Sequence, residues 1–322
     1  MERNIKFSDI EAAVSAAYEN NRNITDGEID PRSDASKDTL DTFGISVVLA
    51  DGRVIAKGDA DTQVPVGDIA EIPVHIQLLG QLGSTDELVK KCGKMQCAEN
   101  GCKCHTPERK AFKKAMRQAG ISAHGIRAVS AVEPSDDPEG KYDILINTIS
   151  EMIGGDPSFS DSFYKKQTAA NSAANVENAI AAAEYYLYDN APVAIDIYSR
   201  LMAVQLSSTQ LATMGATIAA DGVNPVTNSE AFDGKISAHI IGMMAAKGMK
   251  KMTMPWNVQA GIPAAAGNGG AVLGVIPGVM AIAATSPALN GAGVSARAAK
   301  AISDIMKQLD INAFGSACIN VE

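Results

Sequence analysis

Residues 58–80, GDADTQVPVGDIAEIPVHIQLLG, decide how this chain is organised, because a strand-like segment ends there and a helix begins. Asp68 is predicted to start the helix, Glu71 follows three residues later, and apolar residues between positions 74 and 79 supply a core-facing surface. A helix N-terminus leaves backbone N–H groups unpaired and carries the positive end of the helix dipole, so it suits an anion or a developing oxyanion. The segment therefore predicts a core helix whose first turn opens on a cleft.

The two carboxylates of this segment have several interpretations. An Asp at the N-cap with a Glu at the third helical position has the pattern of a capping box, which stabilises a helix by about 0.5–2 kcal/mol. The same carboxylates could instead carry acid/base chemistry. Asp68, Glu71 and His75 also lie broadly on one helical face, so they could bind a metal ion. The sequence leaves these interpretations open.

The composition describes an ordinary globular protein. The chain has 322 residues, 46% of them hydrophobic, a net charge of −9 and a pI near 5.0. No basic stripe is present to neutralise phosphates, which argues against a nucleic-acid partner. The first residues, MERNIKFSDIEAAV, lack the apolar core of a secretion signal, and no apolar run approaches the roughly 18 residues that span a bilayer. We therefore expect a cytoplasmic protein with no membrane segment.

Four of the five cysteines lie within thirteen residues, in the pattern CxxxxCxxxxCxCH. Cytoplasmic cysteines are normally reduced, and thiolates this close together suit zinc or an iron–sulfur cluster. The spacing matches none of the common zinc-finger or ferredoxin patterns, so a cluster of free thiols is the alternative. No organic cofactor is expected. The candidate metal ligands are Cys92, Cys97, Cys102 and Cys104, with His105 as a further candidate.

The rest of the chain predicts strands near both ends and helices between them. A hairpin is expected over residues 43–57, where Asp51-Gly52 supplies a turn, and two buried strands around a turn are expected over 271–284. The predicted helices cover residues 5–21, 168–188, 201–221, 234–249 and 294–309, and a further one contains Asn147. This order predicts an α+β protein with an antiparallel sheet built from both chain ends, a mainly helical lobe, and a ligand cleft between them.

The chain resembles the bacterial-type glutaminases over almost its whole length. The similar segments are FGISVVLADGRVIAKGDADT, VEPSDDPEG, ILIN, LATMGATIAADGVNPVTN and GIPAAAGNGGAVLGVIPGVMAIAATSPALNGAGVS. The resemblance implies a β-lactamase-like fold with a single domain over residues 1–322. We expect residues 40–70 and 250–322 to form the sheet lobe and 70–250 the helical lobe, with a cysteine-rich insertion over 86–118. We also expect a homo-oligomer.

The resemblance also implies which residues line the cleft. The glutaminases hydrolyse glutamine to glutamate and ammonia through a Ser-x-x-Lys pair at the start of the central helix. Asp68 and Glu71 occupy those two positions here, so the nucleophile and its base are both replaced. Tyr198 matches a tyrosine that transfers protons near the nucleophile. The positions matching substrate-binding or oxyanion-binding residues are Asn147, Gln167, Asn175, Lys250, Gly267 and Asn268.

Both replaced residues are still ionisable, and this favours retained chemistry over simple decay. The leading hypothesis is a hydrolase or lyase that acts on a small polar or amino-acid-like substrate through Asp68, Glu71 and Tyr198. One alternative is a non-catalytic pseudoenzyme in which the carboxylates cap a helix and the cysteines hold a metal ion for structure or sensing. A second alternative is an ordinary glutaminase. A small-molecule substrate is the partner that all the catalytic hypotheses share.

Overall fold

A five-stranded antiparallel sheet forms the centre of the computed structural model, which describes residues 2–33, 35–36, 39–92, 106–315 and 318–322. The strands are β1 Glu2–Ile5, β2 Glu28–Ile29, β3 Gly44–Leu49, β4 Val54–Gly58, β5 Val64–Pro65, β6 Ser158–Phe159, β7 Val204–Leu206, β8 Val223–Asn224, β9 Ser229–Glu230, β10 Ala264–Ala266, β11 Ala271–Ile276, β12 Met280–Thr285, β13 Ala288–Leu289 and β14 Cys318–Val321. The central sheet has the order β10-β11-β12-β3-β4. It therefore combines two strands from the N-terminal part of the chain with three from the C-terminal part.

Helices cover most of the middle of the chain. They are α1 Phe7–Asn21, α2 Glu71–Leu82, α3 Thr85–Cys92, α4 Pro107–Ala119, α5 Ala123–Ser130, α6 Pro138–Ile153, α7 Asp161–Ala173, α8 Val176–Ala182, α9 Ala191–Met202, α10 Ser208–Ala219, α11 Ser237–Met243, α12 Thr253–Ala260 and α13 Ala296–Leu309. Within the described ranges, no helix is long and apolar enough to cross a membrane.

The two predicted hairpins are confirmed. β3 and β4 pair antiparallel from Gly44↔Gly58 onward, and β11 and β12 pair from Ala271↔Thr285. Every residue of β3, β11 and β12 is buried, as expected for strands covered on both faces. The predicted α+β architecture, with an antiparallel sheet drawn from both parts of the chain, is therefore confirmed.

Helices cover both faces of the central sheet. Alternate side chains of β3 enter two separate hydrophobic clusters, because successive residues of a strand point to opposite faces. Val48 packs in the cluster that contains α10, whereas Val47 packs in the cluster that contains α1 and α13. α2, which carries the residues of interest, belongs to the α10 side and is buried along most of its length.

The helix predicted over residues 201–221 is wrong in one respect, because a short strand interrupts it. α9 ends at Met202, β7 follows, and α10 starts after Ser207, whose hydroxyl accepts a hydrogen bond from the backbone N–H of Gln210 at 3.2 Å. The side chain of Gln210 accepts from the N–H of Ser207 at 3.0 Å, which completes a capping box. β7 pairs with β5, and Val66 N–H donates to the carbonyl of Val204, so this strand fixes the segment that leads to Asp68.

Candidate functional site

Asp68 lies in a 3-10 turn over Gly67–Ala70, and the α-helix α2 begins only at Glu71. Neither start has a side-chain cap, so the capping-box interpretation of Asp68 and Glu71 is wrong. The tight turn depends on Gly67, whose φ of 54° is in the left-handed region and whose missing Cβ would lie 1.9 Å from Asn268 Oδ1. The turn releases both carboxylates from the helix terminus and directs them to other partners.

The hydroxyl of Tyr198 lies within hydrogen-bonding distance of both carboxylates. Its hydroxyl lies 3.3 Å from Asp68 Oδ1 and 3.4 Å from Glu71 Oε1, and its ring, on α9, is fully buried. Burial, together with the negative charges of Glu71 and Asp68, raises the pKa of Tyr198 well above its usual value. The phenol therefore stays protonated, and its O–H donates hydrogen bonds to the carboxylates. Tyr198 does not line the adjoining cavity, so it is a positioning residue.

Each carboxylate also forms an ion pair with one lysine. Lys247 lies in a π-helical turn over Met244–Gly248, and its Nζ is 3.1 Å from Glu71 Oε2. Lys250 has a φ of 56° and directs its Nζ to Asp68 Oδ2, also at 3.1 Å, and to the carbonyl of Gly293 at 3.0 Å. Two ion pairs, Lys247 with Glu71 and Lys250 with Asp68, thus border one space.

The lysine nearest Glu71 decides the ionisation state of that carboxyl. Burial raises the pKa of Glu71, but the positive charge of Lys247 and the neighbouring His124 and His75 outweigh burial and lower the pKa to about 2. Glu71 is therefore a carboxylate at neutral pH. Its low pKa makes it a weak general base, since a good base has a pKa near the working pH.

Two histidines lie directly behind Glu71. His75, one turn further along α2, and His124, near the start of α5, stack with ring centroids 5.1 Å apart, and their Nε2 atoms are 3.1 Å apart. Burial lowers the pKa of His75 to about 4 and also lowers the pKa of His124. Both imidazoles are consequently neutral at neutral pH.

These groups surround a cavity of about 190 Å³. Its volume is below the roughly 300–1,000 Å³ of sites for drug-sized ligands, so it fits only a small molecule. The lining residues are Asp68, Glu71, Ile72, Ser122, His124, Met243, Met244, Lys247, Gly248, Lys250, Ala265 and Ala266.

Three predicted substrate-binding residues lie outside this cavity. Asn147 is exposed on α6, and Asn175 lines a different cavity, of about 350 Å³. Gln167 is fully buried, donates to the carbonyl of Ala119 at 3.0 Å and to Asn171 Oδ1 at 2.8 Å, and does not line the cavity. The structure therefore does not bring these three side chains together with the carboxylates.

The remaining predicted positions are closer to the site or outside the described residues. Gly267 and Asn268 pack against the turn before α2 without lining the cavity, and a Cβ on Gly267 would lie 2.0 Å from the carbonyl oxygen of Val66. Asn268 Oδ1 is buried with no hydrogen-bond partner among the described residues. The predicted cysteine cluster falls almost wholly outside the described residues, which exclude Cys97, Cys102, Cys104 and His105 and describe Cys92 only as the end of α3.

Three polar residues of the cavity were not predicted from the sequence: Lys247, His124 and Ser122. Ser122 caps α5 by accepting from the N–H of Gly125 at 3.1 Å, and its hydroxyl is one of the groups that lower the pKa of Glu71. Each lies at least fifty positions from Glu71 in the chain, so no local spacing marks them. His75 was the accessible signal, because its position four residues after Glu71 places both side chains on one face.

Comparison of sequences links the whole chain to glutaminases. A family model described as glutaminase matches residues 35–314. The chain is 31% identical over 318 residues to a glutaminase of Bacteroides thetaiotaomicron, covering 98% of this chain and 97% of that protein. It is 27% identical over 270 residues to glutaminase 1 of Escherichia coli, covering 84% of this chain and 86% of that protein.

Solved structures give the same result for the fold. A probable glutaminase, YbaS, superposes with a TM-score of 0.82 at 24% identity, covering 97% of this chain and 100% of that one. A probable glutaminase from Bacillus subtilis, complexed with 6-diazo-5-oxo-L-norleucine, superposes with a TM-score of 0.74 at 15% identity, covering 95% and 96%. These likenesses confirm the β-lactamase-like fold predicted from the sequence.

Proposed function

This chain belongs to the glutaminase family, and on that premise we propose that it is a hydrolase of a small amino-acid-like substrate that works without a Ser-Lys pair. One observation carries the proposal. Asp68 and Glu71, where we expect the family's serine and lysine to fall, both direct their carboxylates into one small cavity, and each has a lysine Nζ at 3.1 Å. Side chains that only capped a helix would have no such partners.

The charges of the cavity favour a zwitterionic ligand. An amino acid carries an ammonium group and a carboxylate close together, and the cavity offers two pairs of one carboxylate and one lysine. The ligand can exchange its own charges for these ion pairs, so that no charge is left unpaired as water is expelled. Glutamine is the first substrate to test, because the relatives with 26–31% identity are named glutaminases.

Asp68 is the residue best placed to act as general base. Its side chain is 25% exposed, against 13% for Glu71, and it lines the cavity, where a water molecule and a substrate could reach it. Asp68 would accept a proton from water as the oxygen adds to the amide carbon, and would return this proton to the nitrogen as the C–N bond breaks and ammonia leaves. Tyr198 would hold the carboxylate in place through its hydroxyl.

The test is ammonia release from a panel of amino-acid amides, starting with glutamine and asparagine, by the unmodified protein and by Asp68→Asn. The isosteric amide keeps the shape of the carboxylate but cannot take the proton, so kcat should fall by about 10²–10⁴-fold. Asp143→Asn, on the exposed surface of α6, is the matched control and should leave kcat unchanged. Full turnover by Asp68→Asn would contradict the assignment of the base.

A non-catalytic binding protein is the second candidate, and a specific observation favours it. Both carboxylates already have lysine partners, so the cavity is electrostatically satisfied without a substrate. Calorimetry with the same panel separates the two candidates. Binding of an amino acid with no turnover by the unmodified protein would contradict the hydrolase proposal and support this one.

A further inference from the structure

We propose that Glu71, His75 and His124 form a binding site for a zinc-class divalent metal ion in the wall of the cavity. One carboxylate oxygen and one ring nitrogen from each histidine all lie within 4.8 Å of one another. A catalytic role for this ion rests on the proposed hydrolase function, whereas the binding of the ion does not. Its three ligands are different residues from the cysteines considered in the sequence.

The fold brings the three ligands together from two packed helices. Glu71 and His75 are four residues apart on α2, so their side chains share one face one turn apart. His124 comes from the first turn of α5, which packs against α2. Ligands on helices that are fixed by core packing are held in place before the ion arrives, which lowers the cost of binding.

A backbone hydrogen bond presents His75 in the tautomer that a metal ion needs. His75 Nδ1 lies 2.7 Å from the carbonyl oxygen of Glu71, and a carbonyl only accepts, so Nδ1 carries the proton. The lone pair of the ring is then on Nε2, which accepts a hydrogen bond from His124 Nε2–H at 3.1 Å. An ion that replaces this proton requires His124 to carry its proton on Nδ1 and to bind through Nε2. Metal-binding histidines commonly donate their other ring N–H to such a carbonyl, which fixes the orientation of the ring.

The spacing of the two ring nitrogens fits a shared ion. Zinc–nitrogen bonds are about 2.0–2.1 Å long, and two nitrogens 3.1 Å apart at that length subtend an angle of about 98° at the metal. This angle lies between the ideal octahedral and tetrahedral angles. Imidazole nitrogens favour zinc and neighbouring transition metals over magnesium or calcium.

Two histidines and one glutamate leave an open coordination position, as in catalytic zinc sites. Glu71 and His124 both line the cavity, so the open position faces the space next to Asp68. A water molecule bound there would have its pKa lowered to about 7 by the metal, and Asp68 could take the released proton. The ion would thus supply the activated water that replaces the family's serine.

Lys247 is the group that an incoming ion must accommodate. Its ammonium forms an ion pair with Glu71 Oε2 at 3.1 Å, but the Lys247 side chain is 42% exposed and can turn toward solvent. The carboxylate can also keep this partner, because its two oxygens together accept up to about four contacts. Removal of the competing positive charge in Lys247→Met should therefore tighten metal binding, which a purely structural histidine pair does not predict.

Cobalt(II) titration of chelator-treated full-length protein tests the site without any substrate. The unmodified protein should bind an ion whose visible d–d bands are absent from His124→Ala. His124 is a direct ligand, and loss of a supporting residue alone costs about 10–100-fold, so His124→Ala should weaken zinc binding by at least about 100-fold. His239→Ala removes a histidine of α11 outside the cluster and should bind as the unmodified protein does.

The cysteines require a separate control, because thiolates bind both metals. Their cobalt complexes show sulfur charge-transfer bands, which a site of nitrogen and oxygen ligands lacks, so the difference spectrum between the unmodified protein and His124→Ala isolates the proposed site. Equal spectra and equal zinc affinity for these two proteins would overturn the metal site. Metal binding without hydrolysis would leave the metal site intact and contradict only the proposed function.

Discussion

Gly125→Ala should destabilise the protein, although glycine-to-alanine changes inside helices are usually favourable. Gly125 is in α5, and a Cβ there would lie 2.3 Å from Tyr198 Cζ and 2.6 Å from the hydroxyl oxygen. Tyr198 is fully buried, so its ring cannot retreat. Overpacking costs about 1–3 kcal/mol, and contacts with a fixed ring place this case near 3. The gain in helix propensity of about 1 kcal/mol leaves a net loss of about 2 kcal/mol.

Gly80→Ala is the matched control for this prediction. Gly80 is exposed on α2, and no atom of the described residues beyond its chain neighbours and its own helix backbone lies within 4 Å of the added Cβ, so the change should stabilise by about 0.5–1 kcal/mol. An unfolding entropy of about 2.1 cal/mol/K per residue over 322 residues converts 1 kcal/mol to about 1.5 °C. Differential scanning calorimetry should therefore show a Tm about 3 °C lower for Gly125→Ala and about 1 °C higher for Gly80→Ala.

A higher Tm for both variants would refute the reasoning. Such a result would mean that the ring of Tyr198 can move at little cost, and that its hydroxyl does not hold Asp68 and Glu71 at a fixed separation. If Gly125→Ala is destabilised as expected, its activity should change as well. Displacement of the ring should also lower kcat, since it moves the hydroxyl away from both carboxylates.

Two further predictions concern charged pairs. Asp189→Ala should cost about 3–5 kcal/mol of unfolding free energy, because it removes the partner of the fully buried Lys141, whereas Glu87→Gln breaks an exposed pair and should cost less than about 1 kcal/mol. Urea denaturation measures both, and equal costs would contradict the argument. Lys250→Met should raise KM more than it lowers kcat, because Lys250 lines the cavity as a charge partner of Asp68; steady-state kinetics that show a loss in kcat alone would assign it a different role.

The sequence predicted the sheet well because its strands have local signals. Asp51-Gly52 between two β-rich runs gave the first hairpin, and the turn around Pro277-Gly278 gave the second. The strand Val204–Leu206 was not predicted because so short a segment between two helices, with the sequence Val-Gln-Leu, looks like more helix. Its identity depends on pairing with β5 and β6, which are distant in the chain.

The candidate site was predicted only in part, for a similar reason. The pattern of Asp68 and Glu71 is the same for a capping box and for a pair of functional carboxylates, and only the 3-10 turn before α2 separates the two. Their partners Lys247 and His124 are brought in by tertiary packing, with no spacing in the chain to reveal them. Of the residues that the family resemblance suggested, Tyr198 and Lys250 lie next to the carboxylates, whereas Asn147 is on an exposed helix face.

The π-helical turn over Met244–Gly248 has an evolutionary consequence. A π turn contains one residue more than the α-helix would need, and each residue of an α-helix rotates the chain by about 100°. Loss of a single codon within this turn would restore the regular period and rotate Lys247 away from Glu71, and it would also shift the phase at which Lys250 leaves the turn. The charge balance of the cavity could thus be gained or lost in one insertion or deletion event, with every residue that lines the opposite wall unchanged.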